Sequence, residues 1–159
     1  AKFGVDFLFK YRGFSALGEF VKTTASVPSD ITQRIRNNGT IASTFPVDGI
    51  QDVENFVKER MMLGEGYNIQ MGYLFRSGFS VDARYTHLKP DENSFLNNPT
   101  FYSRPNYYTI GISQYLSKNY GAKIQTSFTY IDGKNINDTS STPVEGDEWI
   151  ARLILTFSL

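Results

Sequence analysis

Seven stretches of the chain alternate apolar and polar residues with a period of two. That period belongs to strands whose two faces meet different surroundings. The last stretch, 149–159, puts Trp149, Ala151, Leu153, Leu155, Phe157 and Leu159 on one face and Ile150, Arg152, Ile154, Thr156 and Ser158 on the other. The first, 2–11, lines up Phe3, Val5, Phe7, Phe9 and Tyr11. Arg12-Gly13 reads as a two-residue turn into a second strand, 14–24. Such a turn sets Tyr11 opposite Phe14, and the apolar phase does continue through Phe14, Ala16, Gly18 and Phe20.

Strands three and four, 67–75 and 79–88, keep their apolar faces together only if Arg76-Ser77-Gly78 forms a three-residue link, and Gly78 stands where a left-handed residue is needed. Strands five and six are predicted over 107–116 and 122–131, joined by the short polar link 117–121, with Gln114 interrupting the apolar phase of strand five. The remaining connections, 25–66, 89–106 and 132–147, are long. Strands of about ten residues with aromatic residues near their ends, short turns at one end and long loops at the other predict an all-β fold, an antiparallel transmembrane β-barrel. A soluble β-sandwich also alternates, but has no reason to sort its loops by length. With the short turns in the periplasm, the first and last strands both descend. The count of seven is odd, whereas bacterial single-chain barrels use even numbers. The expectation is therefore that 1–159 is the C-terminal part of a larger outer-membrane barrel, with 25–66 a long extracellular loop. Seven strands alone would leave two open edges in lipid, where each unpaired backbone group costs several kcal/mol.

Composition narrows the classes. Sixteen basic residues balance sixteen acidic ones, so charge gives no argument for a nucleic-acid partner. No apolar run approaches the roughly 18–20 residues of a membrane-spanning helix. Ten Tyr and thirteen Phe in a chain that is polar on average suit a barrel, where alternation dilutes hydrophobicity. The absence of cysteine suits an envelope protein. Ala1-Lys2-Phe3 enters a strand at once, so a mature or truncated chain is expected.

Tyr11-Arg12-Gly13-Phe14-Ser15 leading to Gly18-Glu19-Phe20, the strand 67–75, the segment 118–125 (Lys118-Asn119-Tyr120-Gly121-Ala122-Lys123-Ile124-Gln125) and the close at 149–159 together resemble the C-terminal half of the phosphate-selective porin O and P family of Bacteroidota. The resemblance implies a sixteen-stranded, trimeric, anion-conducting pore with basic residues along its lumen. Outer-membrane barrels of this kind usually end in Phe or Trp, whereas this chain ends in Leu159, with Phe157 on the same face. The expected function is that of a porin in the outer membrane of a Gram-negative bacterium. It would be a water-filled channel for passive diffusion of small hydrophilic solutes, phosphate-like anions among them. The alternative is a non-conducting accessory barrel subunit of a larger outer-membrane assembly. Expected partners are outer-membrane lipid, the solutes, and further copies or neighbouring outer-membrane proteins.

In such a channel the chemistry is electrostatic, since fixed charges along the lumen select ions by sign and density. The candidate ion path comprises Lys10, Arg84, Lys123 and Arg152 with Asp6, Glu19 and Asp82, and Lys2 lies in the same phase. Gln70, Gln125, Ser127 and Thr129 add hydrogen-bonding groups. Asp6 should face Glu19, an unfavourable pairing unless a cation sits between them. Within the long loop, Ile50, Val53, Phe56, Val57 and Met61 fall at helical spacing over 46–63, with acids first and bases last. Such a helix would either fold inward as a constriction or pack on the barrel rim. No catalytic group, cofactor or metal is expected. The one histidine, His87, falls in the outward phase, and Asp132-Gly133-Lys134-Asn135-Ile136-Asn137-Asp138 lacks the glutamate that closes a calcium loop.

Overall fold

The computed structural model describes residues 1–95, 104–116, 121–133, 136–137, 143–144 and 146–157. Its strands are β1 (Lys2–Tyr11), β2 (Phe14–Thr23), β3 (Arg34–Ile35), β4 (Ile41–Ala42), β5 (Pro46–Val47), β6 (Ile50–Gln51), β7 (Gly64–Leu74), β8 (Phe79–Pro90), β9 (Asn106–Tyr115), β10 (Ala122–Asp132), β11 (Ile136–Asn137), β12 (Pro143–Val144) and β13 (Glu148–Phe157), with one short helix, α1 (Val53–Lys58). The seven long strands form a single antiparallel sheet in the order β1-β2-β7-β8-β9-β10-β13. The fold is all-β. The sheet is not closed on itself: β1 and β13 each have one neighbour and stand at opposite edges.

The turns set the register as their residues require. Tyr11 pairs with Phe14 across Arg12 and Gly13, both with positive φ (45° and 89°), the two-residue turn that matches strand twist. Between β7 and β8 the three-residue link holds: Phe75 N–H donates to Phe79 O at 2.8 Å, and Gly78 adopts φ 80°. Gln114, the polar break in the apolar phase, donates to the carbonyls of Ser77 and Tyr115 at this end of the sheet. Several strands extend beyond the predicted limits, because β7 begins three residues earlier and β8 continues to Pro90. The link residues 117–120 and the terminal Ser158 and Leu159 lie outside the described residues.

One expectation about the loops is corrected. The helix predicted over 46–63 spans only Val53–Lys58. Asp48 and Gly49 take positive φ (48° and 82°) and turn Pro46–Val47 back on Ile50–Gln51 as a ribbon. Ile50 is therefore exposed and Phe56 alone of the helix is buried. Asp52 caps α1, accepting from the Asn55 N–H at 3.0 Å, and Glu54, which accepts a hydrogen bond from Lys58, holds that ammonium above its ordinary pKa. Within the segment 132–147, Ile136–Asn137 pairs with Pro143–Val144.

What hydrophobic core exists lies largely in the long loop. Phe45 is 2% exposed and meets Phe56 edge-on at 5.4 Å, with Ala42 and Leu63 also buried. Two guanidinium groups lie over the Phe56 ring, Arg34 at 4.5 Å and Arg60 at 3.5 Å, each favoured by the negative charge of the ring face. Buried Ser94 donates to Leu63 O at 3.0 Å and Asp91 N–H to the same carbonyl, tying the 89–95 segment to the long loop. The loop thus packs on itself at the end of the sheet away from the short turns.

Candidate functional site

The central strands β7 to β10 invert the burial of a soluble protein, whereas β2 buries its apolar Ala16 and exposes Glu19, and the edge strands β1 and β13 are largely exposed on both faces. On β9 the polar Thr109 and Ser113 are 9% and 7% exposed, whereas Ile110 between them is 61% exposed. β7 alternates likewise, with Tyr67, Ile69, Met71 and Tyr73 exposed and Asn68, Gln70 and Gly72 half-buried. Among the described residues no second layer covers the apolar face, which is open on every long strand but partly closed over β2, where Phe7 lies across Gly18. Over β7 to β10 the polar face is the more crowded one, as expected of a sheet concave towards it. A cavity of about 550 Å³ is lined by Lys10 of β1, Gln70 of β7, Asp82 of β8, Ser113 of β9, and Lys123 and Gln125 of β10.

The apolar face carries an ordered band of rings. Near the long-loop end each long strand contributes one: Phe3, Phe20, Tyr67, Tyr85, Tyr108, Tyr130 and Trp149. Neighbouring rings lie 6.3 Å apart for Phe3–Phe20, 5.7 Å for Tyr67–Tyr85, 5.0 Å for Tyr85–Tyr108, 6.1 Å for Tyr108–Tyr130 and 4.8 Å for Tyr130–Trp149. Phe20 pairs directly with Tyr67, and Tyr85, Tyr108, Tyr130 and Trp149 form one register row. The band leaves strict register twice, from Phe3 to Phe20 and from Tyr67 to Tyr85, each time by two residues towards the short turns. Tilted strands produce such a one-way stagger in a level band. Polar groups lie beyond it: Tyr85 donates to Asn106, His87 contacts the same amide oxygen at 2.8 Å, Asn106 donates to Asp132, and Tyr130 donates to Asp147. His87 shares the apolar face, 5.1 Å from the Tyr67 ring, as its phase predicted. At the short-turn end Phe9, Phe14, Tyr73, Phe75 and Phe79 make further ring contacts.

On the polar face the structure brings some predicted residues together and separates others. Lys10, Asp82 and Lys123, from strands far apart in the sheet, share the concavity; Asp6, Glu19, Arg84 and Arg152 do not line it. Asp6 does stand opposite Glu19. Glu19 accepts a hydrogen bond from Asn68 at 3.0 Å, and Asn68 in turn accepts from Thr86 at 3.2 Å, so the acid is satisfied from β7. Asp82 pairs with Gly72 on one side and Gly111 on the other. Both its carboxylate oxygens lie 2.7 Å from where a Cβ on Gly111 would stand, so the carboxylate occupies space that only glycine leaves. Arg84 pairs with Gln70 and Thr109, and Arg152 with Ser127. Lys123 donates to Gln125 at 2.9 Å.

Four participants, Glu148, Arg104, Asn68 and Thr109, were missed from sequence. Glu148 belongs to the inward phase of the last strand and receives Arg104, whose Nε donates at 2.7 Å. Its signal was its place two residues before Ile150. Asn68 as the partner of Glu19, and the Thr109–Thr129 contact at 2.9 Å, needed the β2–β7 and β9–β10 registers. No group of three or more metal-ligating side chains occurs among the described residues. The arrangement offers a polar, charged concavity backed by an apolar convex wall. Comparison with protein-family models, curated proteins and solved structures finds no match to the chain.

Proposed function

We propose that the sheet is the wall of an outer-membrane β-barrel pore of the phosphate-selective porin type that the sequence resembles, passing small hydrophilic solutes, anions among them, by passive diffusion. The observation that carries this is the inversion over β7 to β10, an exposed apolar face backed by a concave face of charges and amides, together with a band of rings that runs across all seven long strands. Lipid covers such an apolar wall, rings sit at the headgroup level, and water fills the polar side. On β13, Trp149 and Phe157 would bound a stretch of about 26 Å along a strand rising ~3.3 Å per residue. At the roughly 35–45° tilt of barrel strands that stretch rises about 19–22 Å, somewhat less than the ~25 Å of a barrel's apolar band. The two open edges call for further strands beside β1 and β13, since lipid cannot satisfy their backbone groups.

In planar bilayers this account expects stepwise conductance with selectivity leaning to anions. The pair Lys123→Glu and Arg152→Glu should move that selectivity towards cations; an unchanged selectivity in a conducting channel would contradict the inner-face assignment. The open edges also favour a second reading, an accessory barrel subunit whose edges or wall dock other outer-membrane proteins. Absence of conductance together with copurifying outer-membrane proteins would favour it over the pore.

A further inference from the structure

At the short-turn end the apolar outer wall stops at bases alone. In the outward phase of the seven long strands no Asp, Glu, Lys or Arg stands between the turns and Lys22, Glu65, Lys89 and Asp132 at the long-loop end. The first two short turns supply Arg12 and Arg76, the third short link, 117–121, holds Lys118, and none of the three contains an acid. The long connections mix both signs. Asp82, the carboxylate nearest to Arg76 along the chain, belongs to the inner face, where its register row also carries Lys10 and Arg152.

Arg12 and Arg76 belong to neighbouring hairpins and line one cavity of about 1080 Å³. Tyr73, Phe75 and Leu116, exposed residues in the apolar phase, line it too, and no acidic residue does. The Arg12 guanidinium lies 5.2 Å from the centre of the outward Tyr11 ring, which draws it to the apolar side of the sheet. Among the described residues neither guanidinium has an acidic partner. Backbone hydrogen bonds hold both turns against the next strand: Leu74 N–H donates to Gly13 O at 2.8 Å, and Tyr115 N–H to Gly78 O at 2.9 Å. Arg12 also holds φ 45°, a left-handed conformation that Asn or Gly takes readily and arginine only under strain. Strain of that kind points to a role beyond the fold.

We propose that Arg12 and Arg76 form a binding site for the phosphate of an anionic phospholipid, in the leaflet that meets the short turns. The site rests on the membrane-barrel reading above, and not on whether the barrel conducts. A guanidinium presents a planar fork of donors that fits two phosphate oxygens at once. The negative potential of an anionic leaflet adds to the attraction. Acyl chains would then run along Tyr73 and Phe75, whose rings suit the headgroup level. Free phosphate carries the same oxygens, but the exposed apolar residues around the two bases favour a ligand with an apolar tail.

Native mass spectrometry of the protein, extracted from vesicles of phosphatidylglycerol and phosphatidylcholine in equal parts, tests this. Phosphatidylglycerol should be retained in preference. Arg12→Asn with Arg76→Gln should weaken that retention roughly tenfold. Asn suits the left-handed turn position, so the hairpin is preserved. Arg36→Gln with Lys89→Gln removes the same charge at the long-loop end, where acids accompany the bases, and should leave retention unchanged. Equal retention of the two lipids, or equal losses in the two double variants, would overturn the site while leaving the barrel standing. Displacement of phosphatidylglycerol by inorganic phosphate would overturn it as well, assigning the arginines to a soluble anion. Protein that stays outside the vesicles would overturn the barrel, and the site with it.

Discussion

Asp82 and Gly111 show how closely one residue on the concave face depends on its neighbour across the strand. The carboxylate lies over the bare backbone of Gly111, and a side chain there would meet both oxygens. Gly111→Val should therefore lower stability by about 1–3 kcal/mol, the usual cost of overpacking. Adding Asp82→Ala to it should recover most of that loss, which denaturant midpoints in detergent micelles would show; simple additivity of the two would mean that they do not contact. A similar test applies at the β7–β8 turn. Gly78 sits at φ 80°, a conformation that costs a side chain about 1–2 kcal/mol. Gly78→Ala should lose about that much, whereas Ser77→Ala, whose hydroxyl makes only a long contact to Phe79 N–H (3.4 Å), should change little.

The elements separate into a sheet and a loop with a core of its own, and they were not equally legible. All three short-turn hairpins of long strands follow the alternation: their pairings Tyr11↔Phe14, Leu74↔Ser80 and Lys123↔Tyr115 keep apolar with apolar phase and polar with polar. A period of two leaves little freedom once a turn's length is known. The long loop had no such constraint. Its helical spacing over 46–63 was real, but Asp48-Gly49 is a strong two-residue turn signal and cuts the pattern before the helix starts. Phe45 and Phe56 then form a core with Arg34, from across the loop, which no local pattern announces. Phe56→Ala should cost about 3–5 kcal/mol within that core. Limited proteolysis should then cut within 25–63 while the sheet stays protected; loss of the sheet along with the loop would show that the two fold as one unit.

At the scale of the whole molecule the inner face was legible in kind but not in arrangement. The seven charged candidates all fall in the inward phase, as alternation requires, yet hairpins tie only adjacent strands. That Lys10 and Lys123 share one concavity, or that Asp6, Glu19 and Glu148 lie on a single register row, depends on the β2–β7 and β8–β9 pairings, which cross long loops. The ring band is similar: each ring was visible in sequence, but their succession with a one-way stagger emerges only from the assembled sheet. Everything proposed about function depends on what lies against the exposed apolar face. The chain has no cysteine, so a single introduced thiol can carry a fluorophore at Asn68, Ile69, Gln70 or Met71 in turn. With the protein in lipid vesicles, labels at 69 and 71 should be quenched from the acyl chains, and labels at 68 and 70 by a water-soluble quencher. Labels at 69 and 71 shielded from both quenchers, as beneath a second protein layer, or all four responding alike to the aqueous one, would contradict a lipid-facing wall.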